Sequence, residues 1–279
     1  RYEDRIQWET GPNRGACAAR NRGLAKARAD YVMFLDADDF ISPDLLKAMR
    51  HSLWKFRADC VVAQVFEQFE NGLLVKKPRP RTDHWRHLLA DWLLLAFVPP
   101  CGVLWYRPRL QEIGGWDETL KKNQDGDLIY RAILHGMRFC ETKNGYAIYC
   151  HHAGPRISTT PSPEKYFDAL RTLERLTKAL DEQGELTGEL WRAISQSSHM
   201  LERRASSLSD PALSQTLREF RTSYGFPRYD GTFLHRLIST LLGLKRKEKL
   251  SGLKNALQSR TRTLASPNRP LKNAASRRV

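Results

Sequence analysis

The stretch GPNRGACAARNRGLAKARADYVMFLDADDFISPDLL, residues 11–46, decides the fold class of this 279-residue chain. Residues 16–29 are rich in alanine, arginine and lysine, and this composition predicts a helix. The apolar run 31–36 comes next and predicts a short buried strand. The tripeptide Ser-Pro-Asp at 42–44 then predicts a helix start, with a capping serine, a proline and an acid in the first turn.

The alternation of helices and strands continues through the first half of the chain. Strands are predicted at 59–69, 102–106 and 146–151, and helices at 84–97 and 125–135. This order favours an α/β layer with a parallel sheet. Between 164 and 221, leucine, alanine, arginine and glutamate recur with helical spacing, which predicts about three further helices.

The composition bounds the class of protein. Hydrophobic residues make up 41% and charged residues 28% of the chain, enough to form a substantial core. The five cysteines have irregular spacing and no CxxC pair, which argues against a disulfide scaffold or a structural zinc site and favours a reducing compartment. The segment 231–279 carries +11 of the net charge of +15, so the basic character belongs to the C-terminal segment.

Three acids follow the first predicted strand: Asp36, Asp38 and Asp39. Carboxylates this close repel one another, and a divalent cation would offset that cost. Asp36 and Asp38 point to the same side if the strand continues through them. Ligands of open α/β sheets bind outside the carboxyl ends of strands, and oxygen ligands favour Mg²⁺ or Mn²⁺. The alternative is a solvated turn in which Asp39 or Ser42 caps the next helix.

The segment resembles the nucleotide-sugar glycosyltransferases of family 2. Their fold is GT-A, a Rossmann-like open sheet with helices on both faces. The matching residues are Asn13, Gly15, Ala19-Arg20-Asn21, Gly23, Ala27, Tyr31, Phe34-Leu35-Asp36 and Asp38-Asp39. Ala29 stands where the family usually has glycine.

Two later segments resemble the same family. In RLQEIGGWDETLKKNQDGDLIYRAILHG, residues 109–136, Asp125 stands at the position of the family's catalytic base, and Gln124 replaces the usual glutamate before it. Asp125 could alternatively cap the helix that follows. In YAIYCHHAGPRIST, His152 aligns with a family histidine near the metal or diphosphate, and a structural histidine at a strand end is the alternative.

The resemblance implies roles for these residues. Asp125 would be the general base that accepts the proton of the acceptor hydroxyl. Asp38, helped by Asp36 and with His152 as a further candidate ligand, would hold Mn²⁺ or Mg²⁺ at the donor diphosphate. The remaining predictions are two donor-binding arginines, Arg14 and Arg20, and two acceptor-binding residues, Trp116 and Asp117. Surface exposure of the arginines and core packing of the tryptophan are the alternatives.

The resemblance covers about residues 1–160 and implies a partial GT-A domain that lacks the N-terminal strands. A helical extension at 161–230 and a basic amphipathic helix with a disordered tail at 231–279 are predicted to follow. The expected function is the inverting, metal-dependent transfer of a sugar from a nucleotide-diphospho-sugar to a hydroxyl of a glycan or lipid-linked acceptor. A UDP-sugar is the favoured donor.

Localisation and partners follow from the same reasoning. The chain is expected in the cytoplasm, at the inner face of the cell membrane, where 232–262 would contact an anionic surface. A helix packed on the domain with a solvated basic end is the alternative. Nucleic acid binding is not expected, because no aromatic-basic interleaving occurs. The alternative function is an inactive relative that binds carbohydrate or a protein partner.

Overall fold

The structure is a computed structural model that describes residues 6–94, 96–151, 162–186, 188–208 and 210–227. The strands are β1 Tyr31–Met33, β2 Phe40–Ile41, β3 Cys60–Gln68, β4 Leu74–Lys76, β5 Val103–Tyr106 and β6 Phe139–Cys150. The helices are α1 Ala16–Lys26, α2 Leu45–Phe56, α3 Trp85–Leu93, α4 Arg107–Glu112, α5 Gln124–Leu134, α6 Pro163–Glu182, α7 Gly188–Ala205 and α8 Pro211–Ser223.

The strands form one open mixed sheet in the order β1-β5-β3-β6-β2, with β4 added beside β3. Only the β3–β6 pair is parallel among these strands, and the other pairings are antiparallel. The expectation of a parallel sheet is therefore wrong. Because β5 runs between β1 and β3 in the opposite direction, it turns a helix-strand alternation into a mixed sheet.

The centre of the sheet is the parallel pair of β3 and β6. Residues 60–63 of β3 are almost fully buried, as expected for an apolar strand that is covered on both faces. β6 pairs with β3 from Phe139 onward, so it begins seven residues before the strand predicted at 146–151. The first part of β6 was not predicted because residues 142–145, three polar residues and a glycine, interrupt the apolar pattern. At these residues the ladder with β3 shifts register.

The first acidic segment departs from the sequence expectation. The β1–β5 ladder ends at Met33, and a turn closes where the Asp39 N–H donates to the Asp36 carbonyl at 3.0 Å. Strand alternation therefore cannot place Asp36 and Asp38 on one side. The Ser42 hydroxyl accepts from the Tyr146 N–H at 3.0 Å and donates to Asp44 at 2.8 Å, so it binds β6 and α2 begins later, at Leu45.

The predicted helices after residue 164 are confirmed as α6, α7 and α8. Breaks fall near Gly184, whose φ is 69°, and at Pro211, where Asp210 caps α8 by accepting from Leu213 N at 2.9 Å. Buried residues of these helices, including Leu170 and Leu176, belong to the same hydrophobic cluster as the sheet. The division predicted at 160/161 stays a prediction, and residues 1–228 form one compact unit.

The predicted tail at 231–279, with the membrane helix at 232–262, lies outside the described residues. In the part of the chain that the structure covers, no helix is long and apolar enough to cross a membrane. The five cysteines are all buried, and none of them forms a disulfide in this structure.

Gly145 should be required where β6 passes α2. Its φ is 76°, and a Cβ there would lie 2.6 Å from the Leu45 Cα. Gly72 has a similar φ of 78° but open space around it. We expect Gly145→Ala to lower the free energy of unfolding by about 1–3 kcal/mol more than Gly72→Ala. Gly72→Ala introduces only the strain of a positive φ, so the difference measures the clash with Leu45. Urea unfolding of both variants measures this difference, and equal losses would contradict it.

Candidate active site

Arg20 of α1 joins the two acidic segments that the sequence predicts for the site. Its Nη2 atom donates to both carboxylate oxygens of Asp36, at 3.0 and 3.1 Å, and its Nη1 atom lies 3.9 Å from Oδ1 of Asp125. Its guanidinium carbon lies 4.5 Å from the ring centroid of Trp116. The Arg20 side chain is 14% exposed, so solvent screens these contacts less than on an open surface.

Asp125 has a partly buried carboxylate with a raised pKa. It is the second residue of α5, and the N-cap position belongs to Asn123, so the capping alternative is not what the structure shows. Its Oδ1 atom is buried and has no hydrogen-bond partner among the described residues, while 37% of the side chain stays exposed. Burial raises the pKa of Asp125 to about 6, with the charge of Arg20 opposing and that of Asp36 adding to the shift.

Trp116 supports Arg20 from the core. The ring is 4% exposed and meets the Phe34 ring edge-on at 5.2 Å between centroids. A guanidinium over an indole face is a favourable cation–π contact. Because Arg20 and the core cover the ring, little of its surface is left for a sugar. The packing alternative for Trp116 therefore agrees with its position.

Asn21 holds the loop that carries Trp116. Its Nδ2 atom donates to the Trp116 carbonyl at 2.8 Å, and its Oδ1 atom accepts from the Trp116 N–H at 2.8 Å. Nδ2 also donates to Glu118 at 3.0 Å. Neighbouring residues of α1 thus have two tasks, since Arg20 contacts the acids and Asn21 fixes the aromatic residue beneath it.

Arg131 of α5 holds the other side of the same loop. Its guanidinium donates to the carbonyls of Ile113 at 2.5 Å and Gly115 at 2.7 Å. Its Nε atom donates to the buried Asp127 at 2.8 Å. The helix that carries Asp125 is therefore tied to the loop that Asn21 ties to α1, which fixes Arg20 relative to Asp125.

Sequence analysis missed the two residues that hold this loop. Asn21 is part of the Ala-Arg-Asn match, but the match assigned it no contact. Asp127 and Arg131 are four residues apart, which is the spacing of a helical ion pair. This spacing was the sequence signal that could have pointed to Arg131. Their loop partners come from distant segments, so the contacts needed the tertiary structure.

The three acids after β1 do different things. Asp36 binds Arg20, and Asp38 lies exposed in the turn. Asp39 is buried, and its Oδ1 atom accepts from the Cys150 N–H at 3.1 Å. Burial raises the pKa of Asp39, with the Cys150 hydrogen bond acting in the opposite direction. Asp39 therefore attaches the turn to β6 and leaves Asp36 and Asp38 as the carboxylates that a ligand can reach.

The carboxylates of Asp36 and Asp38 fit a divalent cation whose other ligands are oxygen atoms from outside the chain. No cluster of three or more His, Cys, Asp or Glu side chains that could enclose a metal occurs in the described ranges. Asp36 and Asp38 supply two carboxylates, the number with which Mg²⁺ is commonly bound when substrate phosphates complete its shell. The predicted ligand His152 lies outside the described residues.

Arg14 and Asp117 are engaged away from the Arg20–Asp36–Asp125 group. The Arg14 side chain is 66% exposed and lies 3.4 Å from Glu118. Asp117 accepts hydrogen bonds from Thr119 at 2.6 and 2.9 Å and from Arg175 of α6 at 3.2 Å. In this structure Asp117 stabilises a turn and its contact with α6.

A wide groove of the described structure lies elsewhere. It has a volume of about 910 Å³ and is lined partly by Ala58, Trp85 and Phe139. Ala58 and Phe139 mark the amino ends of β3 and β6, whereas Asp36 follows the carboxyl end of β1. Since open α/β sheets bind ligands outside carboxyl ends, Arg20, Asp36 and Asp125 form the candidate active site.

Residues 2–112 match the family model described as "Glycosyl transferase family 2". The matched segment includes Arg20 and the acids from Asp36 to Asp39, and it ends before Asp125. The predicted family resemblance is confirmed, and the role of Asp125 stays a prediction.

The relatives are transferases of which the chain covers only a part. The chain is 28% identical over 135 residues to a "Pre-mycofactocin glycosyltransferase" of Mycobacterium tuberculosis, which is 45% of this chain and 28% of that protein. It is 31% identical over 129 residues to the "Amylovoran biosynthesis glycosyltransferase AmsB" of Erwinia amylovora, 43% and 42% of the two chains. The alignments thus span less than half the length of either relative.

Solved structures confirm the GT-A fold. TarS 1–349 of S. aureus, crystallised in complex with UDP-GlcNAc, has a TM-score of 0.53 at 16% identity, covering 89% of this chain and 72% of TarS 1–349. A second TarS structure has a TM-score of 0.51 at 15% identity over 84% and 41% of the two chains. At these identities the likeness concerns the fold.

Removing the charge of Arg20 should raise the pKa of Asp125 above about 6. In Arg20→Met the opposing positive charge is gone while Asp36 remains, so the neutral form of Asp125 is favoured. Carboxyl-carbon NMR titration of both proteins measures the shift. Arg14→Met is the matched control, because Arg14 is exposed and pairs with Glu118. An unchanged or lower pKa in Arg20→Met would show that Arg20 does not act on Asp125.

Proposed function

Because the chain carries a family 2 glycosyltransferase domain of the GT-A fold, we propose that it transfers a sugar with inversion from a nucleotide-diphospho-sugar to an acceptor hydroxyl. Asp125 is the general base of this proposal. The observation that carries it is the position of Asp125, partly exposed with a raised pKa and 3.9 Å from the Arg20 that also binds Asp36.

The base must take the acceptor proton as the hydroxyl oxygen attacks the anomeric carbon. A carboxylate with a pKa of about 6 is mostly ionised at neutral pH and more basic than an ordinary aspartate, which suits general-base catalysis. The proton moves to a carboxylate oxygen of Asp125. The charge of Arg20 keeps that carboxyl from becoming neutral before the reaction.

The leaving diphosphate accumulates negative charge and needs a positive partner. In the proposal Asp38 and Asp36 would hold Mn²⁺ or Mg²⁺, with His152 as a further candidate ligand, and the bound cation would neutralise part of that charge. Arg20 contributes a second positive group at the same place. Asp36, which binds Arg20, would also contact the cation, so the positive groups that hold the donor would lie beside Asp125. Arg14 is a peripheral candidate for the diphosphate.

Donor and acceptor classes are proposed from chemistry and from the relatives. UDP-sugars are the first donors to test, since TarS was crystallised with UDP-GlcNAc. A glycan or lipid-linked hydroxyl is the proposed acceptor, and the relative AmsB is named for amylovoran biosynthesis. Asp117 stays a proposed acceptor contact. A cytoplasmic location with peripheral membrane contact through 232–262 belongs to the same proposal.

Asp125→Asn should abolish turnover without abolishing donor binding. We expect kcat to fall about 10²–10⁴-fold, the usual contribution of a general base, while the Kd for UDP changes little. Wild-type kcat/KM should fall as the pH drops below about 6, because protonated Asp125 cannot accept a proton. Asp30→Asn, at an exposed acid outside the site, is the control. Full activity of Asp125→Asn would exclude the base role, and inactivity of the wild type with intact UDP binding would favour the non-catalytic alternative.

Calorimetric titration with UDP tests the metal proposal. We expect Mn²⁺ to strengthen UDP binding at least about tenfold, and Asp38→Asn to lose that gain, because a shared cation needs both the carboxylate and the phosphates. Asp30→Asn should retain it. Binding that is independent of Mn²⁺, or an Asp38→Asn variant that responds to Mn²⁺ like the wild type, would contradict the metal role.

A further inference from the structure

The outer surface of α2 combines positive and apolar side chains in two helical rows. One row contains Leu46, Arg50 and Trp54, and the other contains Lys47, His51 and Lys55. Residues four apart lie on one side of a helix, and all six residues are exposed. We call these six residues the α2 face.

The opposite side of α2 anchors the helix firmly. Leu45, Met49 and Leu53 are at most 1% exposed, and the helix packs on β3 and β6. The apolar groups of the α2 face are therefore not exposed by loose packing. The core has its own complete set of contacts, and the outer residues are additional to it.

The α2 face is positively charged, and α2 contains no acidic residue that would balance this charge. Residues 45–58 contain four cations, Lys47, Arg50, Lys55 and Arg57, and no carboxylate. None of the four forms an ion pair with the described residues of the chain. The flanking acids are engaged locally, since Asp44 accepts from the Ser42 hydroxyl and Asp59 accepts from the Arg138 N–H.

Large apolar groups are exposed beside these cations. Trp54 is 76%, Phe56 55% and Leu46 46% exposed. Lys55 lies 5.3 Å from the Phe56 ring centroid, so charge and ring are presented together. Tryptophan with basic neighbours is characteristic of surfaces at the membrane–water interface, where the ring sits among headgroups and the cations meet phosphates.

We propose that the α2 face docks on the surface of an anionic phospholipid bilayer. A helix of 12 residues presents a strip about 18 Å long that can lie parallel to the membrane with Trp54 in the headgroup layer. A second copy of the chain is a poor occupant, because two identical positive faces repel. The proposal does not depend on the glycosyltransferase activity or on the tail at 231–279.

Vesicle sedimentation of the full chain tests the docking. We expect binding to phosphatidylcholine vesicles with about 30% phosphatidylglycerol, little binding to pure phosphatidylcholine, and weakening by salt. Binding of equal strength to neutral vesicles, or no binding at all, would overturn the proposal. Binding of the α2 face to heparin or RNA but not to vesicles would overturn it in favour of a soluble polyanion.

A charge-matched pair of variants locates the contact. Lys47→Glu/Lys55→Glu should weaken vesicle binding at least about tenfold, since each cation near an anionic surface contributes to affinity. Lys121→Glu/Lys178→Glu changes the net charge equally, and these side chains are 67% and 72% exposed outside α2. The control should stay within about twofold of wild type. Equal effects of the two pairs would show that net charge or the basic tail carries binding, and would overturn the proposal.

Insertion of Trp54 gives an independent readout. Quenching of tryptophan fluorescence by brominated lipid should fall in Trp54→Phe to less than about half of the wild-type quenching. Vesicle binding measured by sedimentation should be retained, because phenylalanine also enters the interface. Trp8→Phe is the control, because Trp8 is 83% exposed and lies outside α2. Unchanged quenching in Trp54→Phe would overturn the docking orientation. Thermal unfolding of all variants separates these losses from misfolding.

Discussion

The ion pair between Arg20 and Asp36 is the constraint on which the site depends. It connects α1 to the segment after β1, and the same guanidinium reaches Asp125 at the start of α5. Two carboxylates around one arginine leave the group with an excess negative charge when both are ionised. Such a group favours a further cation or a proton, which is the electrostatic condition for a metal-diphosphate ligand and for a base with a raised pKa.

The support of this group is distributed over three distant segments. Asn21 and Arg131 fix opposite sides of the loop before Trp116, and the indole ring lies beneath Arg20. Asp39 attaches the acidic turn to β6. A hydrogen-bonded shell of this kind holds charged groups in position without requiring a bound ligand. The central strand β3 is buried at residues 60–63. The charged groups of the site therefore come from loops and helices and not from the middle of the sheet.

Much of this arrangement was predictable, and the errors have physical causes. The helices α1, α3 and α5 and the strand β3 follow from composition and turn residues. The parallel sheet was a wrong prediction, because the antiparallel insertion of β5 leaves no mark on local composition. The start of β6 was missed since its polar middle residues, 142–145, interrupt the apolar run. Ser42 does not cap α2 because its hydroxyl binds Tyr146 of β6 and Asp44. Asp125 does not cap α5 because the helix begins one residue before it.

The sequence by itself determined the fold class, the family of the first segment and the identity of the acids, because these depend on residue order and local pattern. It also determined that Arg20 belongs to the motif. Only the tertiary structure decided which acid each group meets: Asp36 pairs with Arg20, Asp39 becomes structural, and Asp125 is left partly buried without a hydrogen bond at Oδ1. The reason is that burial and charge proximity set a pKa, and both arise when segments about a hundred residues apart are packed together.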